Sequence, residues 1–195
     1  MSSTSTRNGL LVGVVHSLDD PDRLGRVQVA FPELGGVVSD WAGQATLMAG
    51  SNRGSMFRPE VGDEVVVGFL QGDMRAPYVL GGSWSKQSPP PPDDGNPTQN
   101  NWRSLTSRSG QVIRFDDTPG AEKVELIGKD GTCTVVLDSA NHKITVTATT
   151  QGDVEVNAPD GNIHLTGQTV TVQATGTLKL AGGQVIITGD AVDIN

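Results

Sequence analysis

The chain has 195 residues, a formal charge of −8 and a pI near 4.7, which opposes binding to nucleic-acid phosphates. Aromatic residues make up only 4% and glycines number 25, so thin β layers with many turns are favoured over a broad aromatic core. No apolar run approaches the length of about eighteen residues that a membrane helix needs. The N-terminus lacks a secretory h-region, and the single cysteine, Cys133, cannot close an intrachain disulfide, so cytosolic synthesis is expected.

After a short polar N-terminus (1–8), residues 9–84 carry strand-like runs at 10–16, 25–31, 64–70 and 78–82. Asp-Pro, Gly-Gly and Gly-Asp turn signals separate them. Val27, Val29 and Phe31 alternate and are expected to face a core, and Val65-Val66-Val67 reads as a buried strand. This density of strands fits a small barrel of the OB-fold kind. Segment 41–49 is the one helix candidate, with loop as the alternative. Residues 85–101 contain Ser-Pro-Pro-Pro-Pro-Asp-Asp-Gly-Asn-Pro and read as an extended linker.

Residues 102–195 are strand and turn. Longer units at 112–115, 124–127 and 133–137 precede a regular series: KITV, DVEV, NIHL, TVTV, TLKL, QVII and AVDI, starting at Lys143. Within a unit the apolar residues lie two apart, as in Ile163/Leu165, Val170/Val172, Leu178/Leu180 and Val185/Ile187, so each unit is a strand with one apolar face. Three or four residues remain to turn the chain between the later units. A strand residue advances about 3.3 Å, so each unit makes only one face of a prism. One chain would leave its apolar face bare and its strand edges open. Three identical chains would bury a shared axis of Ile163, Leu165, Val170, Val172, Leu178, Leu180, Val185 and Ile187, and closed symmetry favours that homotrimer. At a strand spacing of about 4.8 Å the rod would be roughly 45–50 Å long.

Four blocks of the first region, taken in order, resemble one family. They are GVVHSLDDPDRLGRVQVAFP (13–32), Trp41, FRPEVGDEVVVGFLQGD (57–73) and PYVLG (77–81). The resemblance is to the OB-fold domain of the baseplate assembly protein V and VgrG spike family of contractile phage tails and type VI secretion systems. The stretch TSRSGQVIRFDDTPGAEKV (106–124), continuing through Glu125 and Leu126, looks like the start of a VgrG-type triple-stranded β-helix. The resemblance implies an all-β homotrimer: an OB-fold collar (9–84) seated on a hub, followed by an intertwined β-helix spike (102–195) aimed at a target envelope. Long members of the family begin with a large hub domain. This chain begins at the OB domain, so a separate hub protein is implied, and no muramidase stands between OB domain and β-helix.

Candidate chemistry is sparse. His16, His142 and His164 form no paired motif, and alternation turns His164 away from the apolar face, so no metal is expected. Asp19-Asp20-Pro21-Asp22 lacks the spacing of a calcium loop; with Asp116-Asp117 it reads as turn and solvated surface. Ser107, Ser109 and Ser139 have no His/Asp partners in view, and Cys133 reads as a small buried apolar residue. Trp41 and Trp84 are expected to pack in the collar. No catalytic residue or cofactor is expected. The chain ends within the repeat at Asn195, so Val192, Ile194 and Asn195 are expected to contact a PAAR-type tip protein.

The reading is a structural central spike, assembled into a phage baseplate or contractile injection particle and used to pierce a cell envelope. Its expected partners are further copies of itself, a hub, a tip protein, and tube or effector proteins. The alternatives are a tail-associated β-helical enzyme that degrades polysaccharide or peptidoglycan, and an OB-fold binding module. Scattered outward acids (Asp153, Glu155, Asp193) oppose the first; acidity and few aromatics oppose the second.

Overall fold

The computed structural model describes residues 9–96, 98–149 and 151–192. Strands β1 (Leu11–Ser17), β2 (Gln28–Phe31), β3 (Val37–Val38), β4 (Gly43–Gln44), β7 (Glu64–Phe69) and β8 (Pro77–Gly82) form one sheet in the order β3-β2-β1-β7-β8-β4. An antiparallel bridge between Val27 and Ala42 joins the start of β2 to the start of β4. Val27 N–H donates to the Ala42 carbonyl at 3.1 Å and Ala42 N–H returns a bond at 2.8 Å. That bridge closes the sheet into a barrel and removes most of its open edge. The helix candidate at 41–49 is instead the closing strand β4 and the loop after it, because Ala42 and Gly43 pair across the barrel.

Period-two alternation fills the barrel. Leu11 and Val15 of β1, Val27, Val29 and Phe31, Val65 and Val67, and Val79 form the buried core with Ala42. The expected inward set Val27, Val29 and Phe31 is therefore found, while Val66 of the triple-valine run faces outward and is half-buried. Phe31 and Phe69 meet at 5.9 Å between ring centroids, in a tilted pair. β1 passes so close to β2 that a Cβ on Gly13 would lie 2.3 Å from Val29 Cγ1 and 2.9 Å from the Ala30 carbonyl oxygen.

Between β4 and β7 the chain throws out an arm, residues 45–58. It carries the two-residue strands β5 (Ala49–Gly50) and β6 (Arg53–Gly54), paired antiparallel.

Beyond the linker, β9 (Trp102–Thr106), β10 (Val112–Asp116), β11 (Lys123–Ile127), β12 (Cys133–Asp138) and β13 (Lys143–Ala148) form a five-stranded antiparallel meander in chain order. Each pair is a hairpin within one chain. The KITV unit, read as the first of the regular series, is thus the last strand of this meander: β13 pairs with β12 along its whole length. From residue 151 to 192 the later units run without a strand ladder inside the chain. A single copy does not coil them upon itself.

Candidate assembly surface

The meander's register sorts its side chains into two faces. One face carries two rows across the five strands: Leu105/Ile113/Leu126/Val135/Val146 and Arg103/Phe115/Val124/Leu137/Ile144. All but Arg103 are apolar. Yet Leu105, Phe115, Ile144 and Val146 are at least half exposed, and Ile113, Leu126 and Leu137 only slightly less. A sheet with one largely apolar, uncovered face has the character of a contact surface.

The opposite face is polar and already satisfied. Arg114 stacks its guanidinium over the Trp102 ring at 3.9 Å and meets Glu125 at 2.6 Å. Lys123 lies 3.4 Å from Glu125 and 3.8 Å from Asp116. Thr118 donates to Asp116 from its backbone N–H at 3.0 Å and its hydroxyl at 2.5 Å. Burial opposes the charge of Asp116, but bonds from Thr118 and Trp102 and the nearby Lys123 outweigh it and hold the carboxyl below its usual range. Asp116, read as solvated, is therefore buried, whereas Asp117 stays outside with Arg103.

Asp20 corrects the sequence expectation in the same way. It occupies a turn, but its carboxylate is buried rather than solvated, with the side chain 2% exposed. It accepts backbone N–H bonds from Asp22, Leu24 and Arg26 and meets the Arg26 guanidinium at 2.6 Å. The Arg26 hydrogen bond, opposed by burial and helped by those backbone donors, holds the Asp20 carboxyl far below the ordinary carboxylate range. Arg58 stands behind, donating to the Leu18 and Arg26 carbonyls. The acidic stretch thus locks the hairpin between β1 and β2; it is a structural clasp.

The expected axis residues Ile163, Leu165, Val170, Val172, Leu178, Leu180, Val185 and Ile187 are each 53–73% exposed in the single chain. Of the expected tip contacts, Val192 is half exposed, and Ile194 and Asn195 lie outside the described residues. Trp41 is half-buried, while Trp84 is exposed rather than packed in the collar. Cys133 is exposed, not buried: it opens β12 at the rim of the sheet. His16 lies in β1, His142 in the turn before β13 and His164 in the repeat, and among the described residues no three His, Cys, Asp or Glu side chains gather as a metal site. Nor does any helix among them have the length and apolarity to cross a membrane.

The sequence marks the meander's apolar residues but not how they line up in rows. The signal was present as Leu105, Ile113/Phe115, Val124/Leu126, Val135/Leu137 and Ile144/Val146, each pair two apart. What was missing was the register that aligns the pairs.

Residues 11–84 match the type VI secretion system/phage-baseplate injector OB domain. The chain is similar to the type VI secretion system spike protein VgrG1a of Pseudomonas aeruginosa, 33% identical over 114 residues, covering 53% of this chain and 18% of that protein. VgrG4b of the same organism is 35% identical over 112 residues, covering 53% and 14%. VgrG3 of Vibrio cholerae is 33% identical over 113 residues, covering 54% and 11%. The matched region spans less than a fifth of each of these relatives.

Proposed function

We infer that this all-β chain, a VgrG-like baseplate or spike protein whose residues 11–84 form an injector OB domain, works as the homotrimeric central spike of a contractile injection machine. The observation that carries this reading is the bare apolar face of the meander, continued by the bare apolar residues of the repeat. Three copies brought together about one axis would turn the repeat's apolar residues inward and set each meander's apolar face against a neighbouring copy. The Trp102–Arg114–Glu125–Lys123 face would remain outside, in water, where its charges are at home. From residue 151 on, strands of neighbouring copies would complete each other's backbone hydrogen bonds, giving a triple-stranded β-helix. The buried axis is then Ile163, Leu165, Val170, Val172, Leu178, Leu180, Val185 and Ile187.

Such a rod resists axial load because strand ladders and apolar axis must fail together. In this reading the barrels form a collar seated on hub or tube proteins, a PAAR-type protein caps the far end against Val192, Ile194 and Asn195, and contraction drives the assembly into a target envelope. Effector cargo would travel with the tube or the tip. The role is mechanical, without catalysis. Immunogold labelling of purified particles tests it: label at the baseplate end of the tube is expected, and label along the sheath, or particles free of the chain, would contradict the role. Incubation of the trimer with peptidoglycan should release no fragments; turnover would instead favour the enzymatic alternative.

A further inference from the structure

The arm at 45–58 is poorly covered by its own chain. Leu47 is 97% exposed, Met56 and Phe57 more than 70%, and Met48 more than half. Methionines on a short hairpin suit adaptable apolar packing. Between Asp40 and Glu60 the only charged residues are Arg53 and Arg58. Arg58 is turned inward onto the Leu18 and Arg26 carbonyls. Arg53 lies across Gly50 and has no ion-pair partner among the described residues. The arm therefore presents an apolar surface with one free cation.

An apolar surface with a single charge of the opposite sign lies on the meander. A groove of about 730 Å³ runs over Leu105, Ile113, Leu126 and Val146, with Cys133 at its rim. Asp153 is the only charged residue in its described lining. Phe57, at the root of the arm, forms one wall, so arm and groove belong to one continuous apolar surface. Arg108 and Glu60, paired at 2.9 Å, tie the meander to the barrel at the same place. In its own chain the arm leaves Leu47 in water. A patch and a different, complementary patch on one molecule make a head-to-tail contact, and such contacts close into a ring when the rotation permits.

We propose that the 45–58 arm of each copy docks in the meander groove of the next copy, laying Leu47 and Met48 on its apolar floor and pairing Arg53 with Asp153 of the partner subunit. The contact rests on the homotrimer reading and deepens it: the collar is latched to the neighbouring spike sheet, so the barrels are coupled to the rod by more than the Pro-rich linker.

Native Cys133 supplies the test. In full-length Leu47→Cys protein, a short bismaleimide should join residue 47 of one copy to Cys133 of the next and give covalent trimers on denaturing gels. The same substitution in a Cys133→Ser background should give none. Arg53→Asp in the Leu47→Cys protein should lower the interchain yield about threefold or more, and adding Asp153→Arg should restore it. A trimer in solution that yields only single-chain product, or interchain product that persists without Cys133, overturns the latch while leaving the homotrimer standing. Failure of the charge swap to restore the yield overturns the Arg53–Asp153 pairing. A monomeric mass before crosslinking overturns the homotrimer reading itself.

Discussion

Asp20 shows how a single carboxylate organises the barrel's first hairpin. Three backbone N–H groups and Arg26 converge on it, and Arg58 closes the space behind. Asn at this position keeps the shape but loses the charge that Arg26 answers. Because the folded carboxyl is held below its ordinary value, the stability it contributes is present above the unfolded pKa of about 3.9 and disappears as pH falls through the lowered folded value. Asp20→Asn should therefore lower Tm by several degrees at pH 7, and the gap to wild type should narrow below about pH 4. Thermal melts across pH 2–7 check this; a gap independent of pH would contradict the ionic clasp. The sequence revealed the turn through Asp20-Pro21. It does not reveal burial, because Arg58 reaches the carboxylate's surroundings from a position that only the folded barrel brings near.

At the scale of elements, the barrel was legible and the meander only partly so. Alternation at Val27/Val29/Phe31 and at Val65/Val67 marks an inward face without knowledge of pairing. Closure through Val27 and Ala42 was not readable, since β4 has only two residues and no alternation to show. Gly13 belongs to the same category: its need for glycine comes from the nearness of β2. Gly13→Ala should cost about 1–3 kcal/mol by overpacking against Val29 and the Ala30 carbonyl, seen as a lower urea midpoint with unchanged slope. In the meander β10 to β13 are legible near their observed limits and β9 is not, and a strand's apolar pair cannot say which neighbour it aligns with. Leu126 sits mid-row between Ile113 and Val135 on the bare face. Leu126→Asp leaves the polar face intact and puts a carboxylate where three copies would meet. It should shift the protein from trimer to smaller species in sizing experiments while the far-ultraviolet β signal persists; retention of the trimer would place this face outside the interface.

For the whole molecule, one chain leaves much apolar surface uncovered. Its barrel buries a core and its meander satisfies one face, but the apolar residues of the other face and of the 151–192 repeat stay in water. The repeat's width of one prism face points to three chains from the sequence alone, and its exposed Val, Ile and Leu residues are those that a shared axis would cover. Burying a Val, Leu or Ile side chain is worth about 1.5–3 kcal/mol, so an axis of eight such residues per copy would make dissociation and unfolding of the repeat nearly the same event. The most direct measurement is therefore the mass of the full-length protein in solution, by light scattering across a dilution series. The account predicts about three times the 20.4 kDa chain mass at every concentration down to the micromolar range. A folded species at 20.4 kDa would contradict it.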